Sequence, residues 1–408
     1  MNKMKAPTKL WNRNFLLLWQ GQLVSALGSH AYMIAFGFYV LDLTGSTTIM
    51  GSYLAASTLP AVLLSPFSGV LVDRWNRKSV LIWADFIRGV GILFLGLGAL
   101  FGFAELWHFF VIGVITGACG SFFEPAIMSI VPDIVPEEKL TNANGATNMI
   151  QSLGGIFGNS LGGTLYVFLG APLLFIADGI SYLFSGISEM FISVPDVERN
   201  NREFKFFDDM KDGLLFIIKK KGVLYIYIFV FIINFSGYMV FVLLLPLFER
   251  RADLGPVQYG FVMAAFAIGA LSGHLLNTIY TLPARFRFNI LILSLMLDCI
   301  VLIAFVFVGS IELMVVFITI SGFNNATINT LIMASVQRIV PQDLRGKVFG
   351  LLATMSGGLA PIAMATAGIL ADIYQIKWIV VANFSLIFLF AVILSFNIPV
   401  KKLLNNEN

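Results

Sequence analysis

Five carboxylates and one imidazole fall inside long apolar stretches of the sequence: Asp85, Glu124, Asp178, Glu189, Asp298 and His30. A carboxyl group in apolar surroundings holds its proton more tightly than in water, and an imidazole titrates near neutrality. Groups of this kind can take up a proton on one side of a barrier and give it up on the other. Asp85 and Arg88 stand three residues apart on one helical face, which predicts a fixed intrahelical pair; carrying a proton is the second reading for Asp85. Glu124 precedes Pro125, whose ring removes a backbone hydrogen bond and frees a carbonyl beside the carboxylate. Glu124 and His30 complete the candidates for proton coupling. No Gly-x-x-x-x-Gly-Lys-Ser/Thr loop, His/Cys metal cluster or nucleophile-plus-base arrangement occurs in the sequence. It therefore reads as a non-enzyme, with neither cofactor nor metal.

The elements that must position these groups follow from composition. Of 408 residues, 58% are hydrophobic and 12% charged, with a mean hydropathy of +0.87. A soluble domain carries about 25% charged residues, so this chain could not cover a water-facing surface. It reads as an all-α integral membrane protein. Twelve apolar runs are each long enough to cross a ~30 Å hydrocarbon layer: 15–41, 48–72, 79–101, 107–131, 145–168, 172–194, 222–248, 256–280, 288–308, 312–335, 347–372 and 378–398. The runs are unbroken rather than alternating, which favours helices over a barrel. The first is too long for a signal peptide and lacks a small-residue cleavage site, so it is expected to be retained.

Lys and Arg set the orientation. With both termini on one side, that side holds nearly all of the 26 Lys and Arg, the exceptions being Arg250, Arg251, Lys377 and the embedded Arg88. Both termini are therefore expected in the cytoplasm of a cell with a multi-pass plasma-membrane protein. The net charge of +3 belongs to a surface facing membrane lipid, not to a nucleic-acid footprint. Cys119 and Cys299 lie inside spans and read as packing residues.

The chain divides into halves. A polar stretch at 195–221 separates residues 1–194 from 222–408, and apolar residues at helical spacing predict an amphipathic interfacial helix in its second part. IVPEEKLTNANG (134–145) aligns without gaps to IVPQDLRGKVFG (339–350), each between the fourth and fifth runs of its half. Two pseudo-symmetric six-helix bundles follow, an arrangement suited to transporters whose halves rock about a central site. Channels and membrane enzymes also arise by duplication.

Between the second and third runs stands GVLVDRWNRK, with Gly69, Asp73, Arg74 and Arg77. It is similar to Gly-x-x-x-Asp-Arg-x-Gly-Arg-Arg/Lys of the major facilitator superfamily, with Asn76 in place of the usual Gly. Gly69 would admit a neighbouring helix closely, and Asp73 would meet the positive N-terminus of the eleventh span near Arg345 and Gly346. Arg77 would pair with an acid of the fourth span, for which Glu124 is the candidate. The resemblance implies a conformational latch built from Gly69, Asp73, Arg74, Arg77 and Glu124. A merely positive loop would account for the basic residues but not for Gly69 or Asp73.

GGIFGNSLGG (154–163) places Gly154, Gly158, Gly162 and Gly163 at the spacing Gly-x-x-x-Gly-Pro-x-x-Gly-Gly, which resembles a motif of drug/proton antiporters, with Asn159 replacing Pro. Generic small-residue packing is the other reading. ADFIRG, FFEPA, VPEEKLTNANG, ADGISYLFSG and FFDDMKDGLLFI most resemble bacterial macrolide-efflux-like exporters. The resemblance implies a monomeric secondary transporter that exchanges an amphipathic small molecule or drug for protons by alternating access. A dedicated siderophore or lysophospholipid exporter or flippase is the alternative, and a non-transporting scaffold or sensor of the same fold a more distant one. It places the substrate cavity among the first, fourth, seventh and tenth spans. Gln22, Ser25, Asn234, Tyr238, Asn324, Asn325 and Phe235 are the candidate lining there, with Phe36, Phe231 and Phe241 as further apolar wall. Spans six and nine are peripheral in this superfamily, so Asp178, Glu189 and Asp298 are expected to be structural unless they turn inward.

Overall fold

The computed structural model of the chain describes residues 9–194, 206–280, 282–341, 344, 348, 351 and 357–405, apart from the side chains of 70, 73, 206–210, 212 and 213. The described residues are helical throughout their regular structure. In chain order they form α1 (Arg13–Thr44), α2 (Thr47–Arg74), α3 (Arg77–Phe101), α4 (Leu106–Ile134), α5 (Leu140–Leu153), α6 (Asn159–Met190), α7 (Phe206–Lys219), α8 (Lys221–Glu249), α9 (Pro256–Ile279), α10 (Ala284–Phe305), α11 (Ile311–Ile339), α12 (Ala360–Ile373), α13 (Ile376–Ser395) and α14 (Ile398–Asn405). A π turn, Gly154–Gly158, joins α5 to α6. Ten helical stretches are long and apolar enough to cross a membrane. One of them, Glu137–Met190, carries two of the expected runs, on either side of Gly170, whose φ of 75° and ψ of 168° interrupt the helix. The eleventh expected run is described as a helix only from Ala360. Helix α7 lies where an interfacial helix is expected, and its Ile217 is buried.

Two compact units divide the described chain. The first holds residues 9–45 and 53–194, the second 46–52 and 206–405. In the first, α6 packs along both α1 and α3, and α3 also packs on α4. At one end its core gathers Phe15, Leu18, Leu81, Ile127, Ile130 and Ile134. Further along, Phe36, buried at 1% exposure, packs at a tilt on Tyr53 with ring centroids 3.8 Å apart, stacks on Tyr32 and lies against Phe109. Phe36 is thus a core residue rather than cavity wall. The second unit centres on α10 and α11, with Leu291, Leu295, Leu331 and Val336 packed against Val223 and Ile226 of α8 and Leu394 of α13. Apolar side chains such as Phe101, Phe168 and Leu386 point outward, as a lipid-facing surface requires.

Local chemistry sets the helix ends. Asn12 caps α1, accepting from the N–H groups of Asn14 and Phe15, and its Nδ2 donates to Ile134 O at 2.7 Å, tying the start of α1 to the end of α4. The cap of α2 comes from far along the chain. Asp372, in the last turn of α12, accepts from Thr47 N and Thr48 N, both at 2.9 Å, and from Ser46 Oγ at 2.8 Å. Arg250 reinforces it, donating to Thr47 Oγ1 and Ala371 O, each at 2.9 Å, with Nη2 3.4 Å from Asp372 Oδ1. A carboxylate at a helix N-terminus satisfies otherwise orphaned donors and meets the positive end of the macrodipole. Residues 46–52 group with the second unit.

Asp372→Ala removes all three of these acceptor contacts at once. It is expected to lower the melting temperature of the purified protein by an amount corresponding to ~1–2 kcal/mol, whereas Asp253→Ala, which removes an exposed carboxylate paired with its near neighbour Arg251, is expected to leave it almost unchanged. Differential scanning fluorimetry in detergent reads both.

Candidate functional site

The basic turn between α2 and α3 is anchored to α4. Arg77 Nη1 lies 2.8 Å from Asp133 Oδ2 and donates to Ser129 O at 3.1 Å. The expected pairing with Glu124 is therefore corrected: the partner is Asp133. Glu124 stands nine residues, ~13 Å, back along the helix axis and is exposed. Asn76, at the usual glycine position, caps α3 by accepting from Ser79 N at 3.1 Å. Lys78 Nζ donates to Met190 O at 2.7 Å, fastening the same turn to the end of α6. Arg74 closes α2. The side chain of Asp73 and residues 345–347 lie outside the described residues, and no described atom would lie within 4 Å of a Cβ added to Gly69.

The glycine-rich segment is seated on α1. A Cβ added to Gly154 would lie 2.8 Å from His30 Cδ2, one at Gly158 2.7 Å from His30 Cβ, and one at Gly162 2.7 Å from Ala31 Cα. Gly163 is buried beside them. These approaches leave no room for side chains, so the spacing of four serves a helix crossing. Asn159, where the motif has Pro, is buried, and its Oδ1 lies 3.2 Å from His30 Nδ1. With the proton on Nδ1, His30 donates across the seam. The π turn places three of the glycines, Gly154, Gly155 and Gly158, in a wider helical turn, a local rearrangement often found where function is built into a helix.

The candidate cavity residues fall in both units. Gln22 and Ser25 are buried in the first, Ser25 Oγ donating to Gln22 O at 3.1 Å. In the second, Asn324 is buried, while Asn234, Phe235, Tyr238 and Asn325 are half-buried. Asn234 Nδ2 turns back to Val230 O at 2.8 Å, and Asn325 Oδ1 accepts from Asn329 at 3.1 Å, so part of their hydrogen-bonding capacity is spent within their own helices. Sequence reasoning missed Ser236 and Asn383, whose side chains join α8 to α13 at 2.7 Å. A polar residue recurring opposite another on a distant run was the only available signal.

The densest polar constellation is in the first unit. Asp85 and Arg88 form the expected intrahelical pair, Nη2 to Oδ1 at 2.9 Å. The Arg88 guanidinium also lies 4.2 Å from the Phe123 ring centroid and 4.9 Å from that of Tyr182, a cation–π arrangement that helps hold a charge away from water. Asp178 and Glu189 turn inward, at 1% and 0% exposure. Ser29 Oγ donates within 3.3 Å of Asp178 Oδ1 and 2.9 Å of Tyr182 Oη. Asp298 of the second unit also has one buried oxygen, Oδ1, without a hydrogen-bond partner among the described residues.

The seam makes a graded prediction. Gly162→Leu is expected to destabilise the protein by ~1–3 kcal/mol through overpacking against α1 and to abolish any activity that needs this crossing. Gly120→Ala, where an added Cβ would meet nothing within 4 Å, is expected to leave the melting temperature in place. Thermal unfolding of the two variants beside the wild type checks it.

Comparison with known proteins places this geometry. The chain is 25% identical over 378 residues to macrolide efflux protein A of Streptococcus pyogenes, covering 89% of this chain and 90% of that protein. It is 25% identical over 368 residues to the multidrug efflux pump Tap of Mycolicibacterium fortuitum, covering 88% and 89%. Its fold is similar to the crystal structure of a bacterial homologue of the iron transporter ferroportin in an inward-facing state, with a TM-score of 0.73 at 16% identity, over 94% of this chain and 99% of that one. The family model of the Major Facilitator Superfamily matches residues 18–360 and 282–408. With its helical spans, its basic turn clamped to α4 and its glycine seam on α1, this chain belongs to the Major Facilitator Superfamily of membrane transporters.

Proposed function

We propose that the protein exports an amphipathic organic molecule of the macrolide or multidrug type in exchange for protons, by alternating access. The observation that carries this reading is the extent of the likeness to two efflux proteins, which runs over almost the full length of each. The glycine seam at Gly154, Gly158 and Gly162 supports it, because it matches the antiporter motif in spacing and serves the helix crossing that motif requires. The driving force is a gradient of ions. Moving one charge through 100 mV is worth ~2.3 kcal/mol, enough for each proton to support a roughly 50-fold cargo gradient.

In this mechanism the turn from Asp73 to Lys78 is a hinge clamp. Arg77 and Asp133 hold the start of α3 to the end of α4, and Asn76 fixes the first turn of α3. In this reading the Asp73 carboxylate is the releasable contact with the eleventh span. Glu124, exposed on α4, is not part of the clamp. Both termini lie in the cytoplasm in this reading, so the clamp closes the inner face when the cavity opens outward.

Proteoliposomes loaded with a pH-sensitive dye test the function, using macrolides, cationic dyes, a siderophore and a lysophospholipid as cargo. Proton movement driven by a macrolide or a dye is the expected result; movement with the siderophore or lysophospholipid alone would establish the dedicated exporter instead. Arg77→Ala and Asp133→Ala are each expected to slow export several-fold while leaving protons per cargo unchanged. The double variant is expected to be no slower than the worse single one, because the two residues form one contact.

A further inference from the structure

We propose that the coupling protons reside inside the first unit, on a buried row formed by Asp178 and Glu189 of α6, with the Asp85–Arg88 pair of α3 as its fixed internal charge. The inference rests on the antiport reading and names the site that reading leaves open. Asp178, Tyr182, Ser185 and Glu189 stand at i, i+4, i+7 and i+11, one face of a helix. The row extends ~16 Å along α6, from the end that receives Lys78 to the aromatic core around Tyr32.

Charge balance is the first argument. Three carboxylates, Asp85, Asp178 and Glu189, are exposed by 0%, 1% and 0%, and a single guanidinium, Arg88, accompanies them at 7%. Glu189 interacts electrostatically with both Asp85 and Arg88, and Asp178 with the same two. Arg88 compensates one carboxylate, and at 2.9 Å that one is Asp85. Two ionised carboxylates would remain without a counter-charge in an apolar interior, at a cost of several kcal/mol each. The neutral, protonated form is the state such a site adopts.

Hydrogen bonding is the second argument and independent of the count. Neither oxygen of Glu189 nor Oδ2 of Asp178 has a hydrogen-bond partner among the described residues. A carboxylate anion seeks several donors. Among the described residues, the donors to Asp178 Oδ1 are Ser29 Oγ and Ser181 Oγ, each at 3.3 Å. Each hydroxyl has one proton and a shorter claim on it, Ser29 to Tyr182 Oη at 2.9 Å and Ser181 to Asp178 O at 2.7 Å. The other titratable groups facing the row are Tyr182 on α6, Tyr32 on α1, which meets Tyr53 of α2 at 3.1 Å, and Cys119 of α4, near Arg88. None of these supplies a second positive charge, and Lys78, at the end of the row, donates to the carbonyl of Met190, both Glu189 oxygens being without a hydrogen-bond partner among the described residues. His30 faces the glycine seam instead.

Among the described residues, no group of three His, Cys, Asp or Glu could hold a metal ion. Protons need no such cage. Ser29 Oγ links Asp178 Oδ1 to Tyr182 Oη, and Ser185 stands on the same face of α6 between Tyr182 and Glu189, its Oγ without a hydrogen-bond partner among the described residues.

Infrared difference spectroscopy of the purified protein, reading the C=O stretch of protonated carboxyl groups at neutral pH, tests residence of the protons directly and without any cargo. A band that loses intensity in Asp178→Asn, loses it in Glu189→Gln, loses the sum in the double variant, and keeps it in Glu312→Gln, which replaces an exposed glutamate, is expected. No loss in either single variant would overturn the proposal. Both amides are near-isosteric; should one fail to fold, Glu189→Asp and Asp178→Glu must shift the band rather than remove it. In proteoliposomes, loss of cargo-driven proton movement in both amide variants supports the carrier role. Wild-type-like proton movement in both would overturn it while leaving antiport standing. No proton movement in the wild type with any cargo would instead overturn the antiport reading itself, and the carrier role with it, whatever the band shows.

Discussion

Close backbone contact along α6 is the constraint on which the first unit depends. Two neighbours must approach one helix without side chains between them. On the α1 side Gly28 leaves its Cβ position 2.7 Å from Asp178 Oδ1, and Gly162 leaves its own 2.7 Å from Ala31 Cα. On the α3 side Gly89 faces Leu183 and the carbonyl of Gly179, and Gly186 faces Asp85 Cβ at 3.4 Å. Without a hydrophobic drive between helices in lipid, such van der Waals contact and the hydrogen bonds it encloses hold the bundle together. The same closeness excludes water from Asp85, Arg88, Asp178 and Glu189. Packing and electrostatics are therefore one problem here: the glycines that let the helices touch also make the row of carboxyls dry.

Much of this was legible in the sequence. Apolar runs, the helix-period spacing of Gly154, Gly158 and Gly162, and the three-residue interval between Asp85 and Arg88 are local patterns, and each has a local structural consequence. What resisted reading was which way a helix faces. In a soluble helix the polar face announces the solvent side; in a membrane helix lipid and core are equally apolar, and the periodic signal fades. Asp178 and Glu189 could thus be assigned to a helix but not to its inward face. Glu124 stands within the fourth apolar run and so reads as the acid for Arg77, whereas Asp133 lies just past the end of that run. The Arg77 side chain, however, springs from the first residue of α3 and meets α4 at its matching end.

Two departures from motif turn out to have a physical use. Asn76 stands where glycine is usual and caps the helix that begins at the next residue, a role glycine fills less well because it has no side-chain acceptor. Asn159 stands where proline is usual and gives His30 a hydrogen-bond partner across the α1 seam. In each case a backbone device is exchanged for a side-chain one at the same place in the fold. The start of α3 and the α1 crossing are thus each fixed by an asparagine side chain.

The cap on α2 shows why long-range polar contacts matter more in this class of protein than their number suggests. Thr47 and Thr48 would otherwise present unpaired N–H groups at the start of a span, and Asp372 answers them from more than three hundred residues away. Helix ends are where a membrane transporter exposes backbone charge, and a carboxylate there combines hydrogen bonds with the helix dipole. Such a contact is strong when made and specific in geometry, yet it is lost by a small displacement of one helix end. The sequence places an acid at the other end of α2 as well, in Asp73.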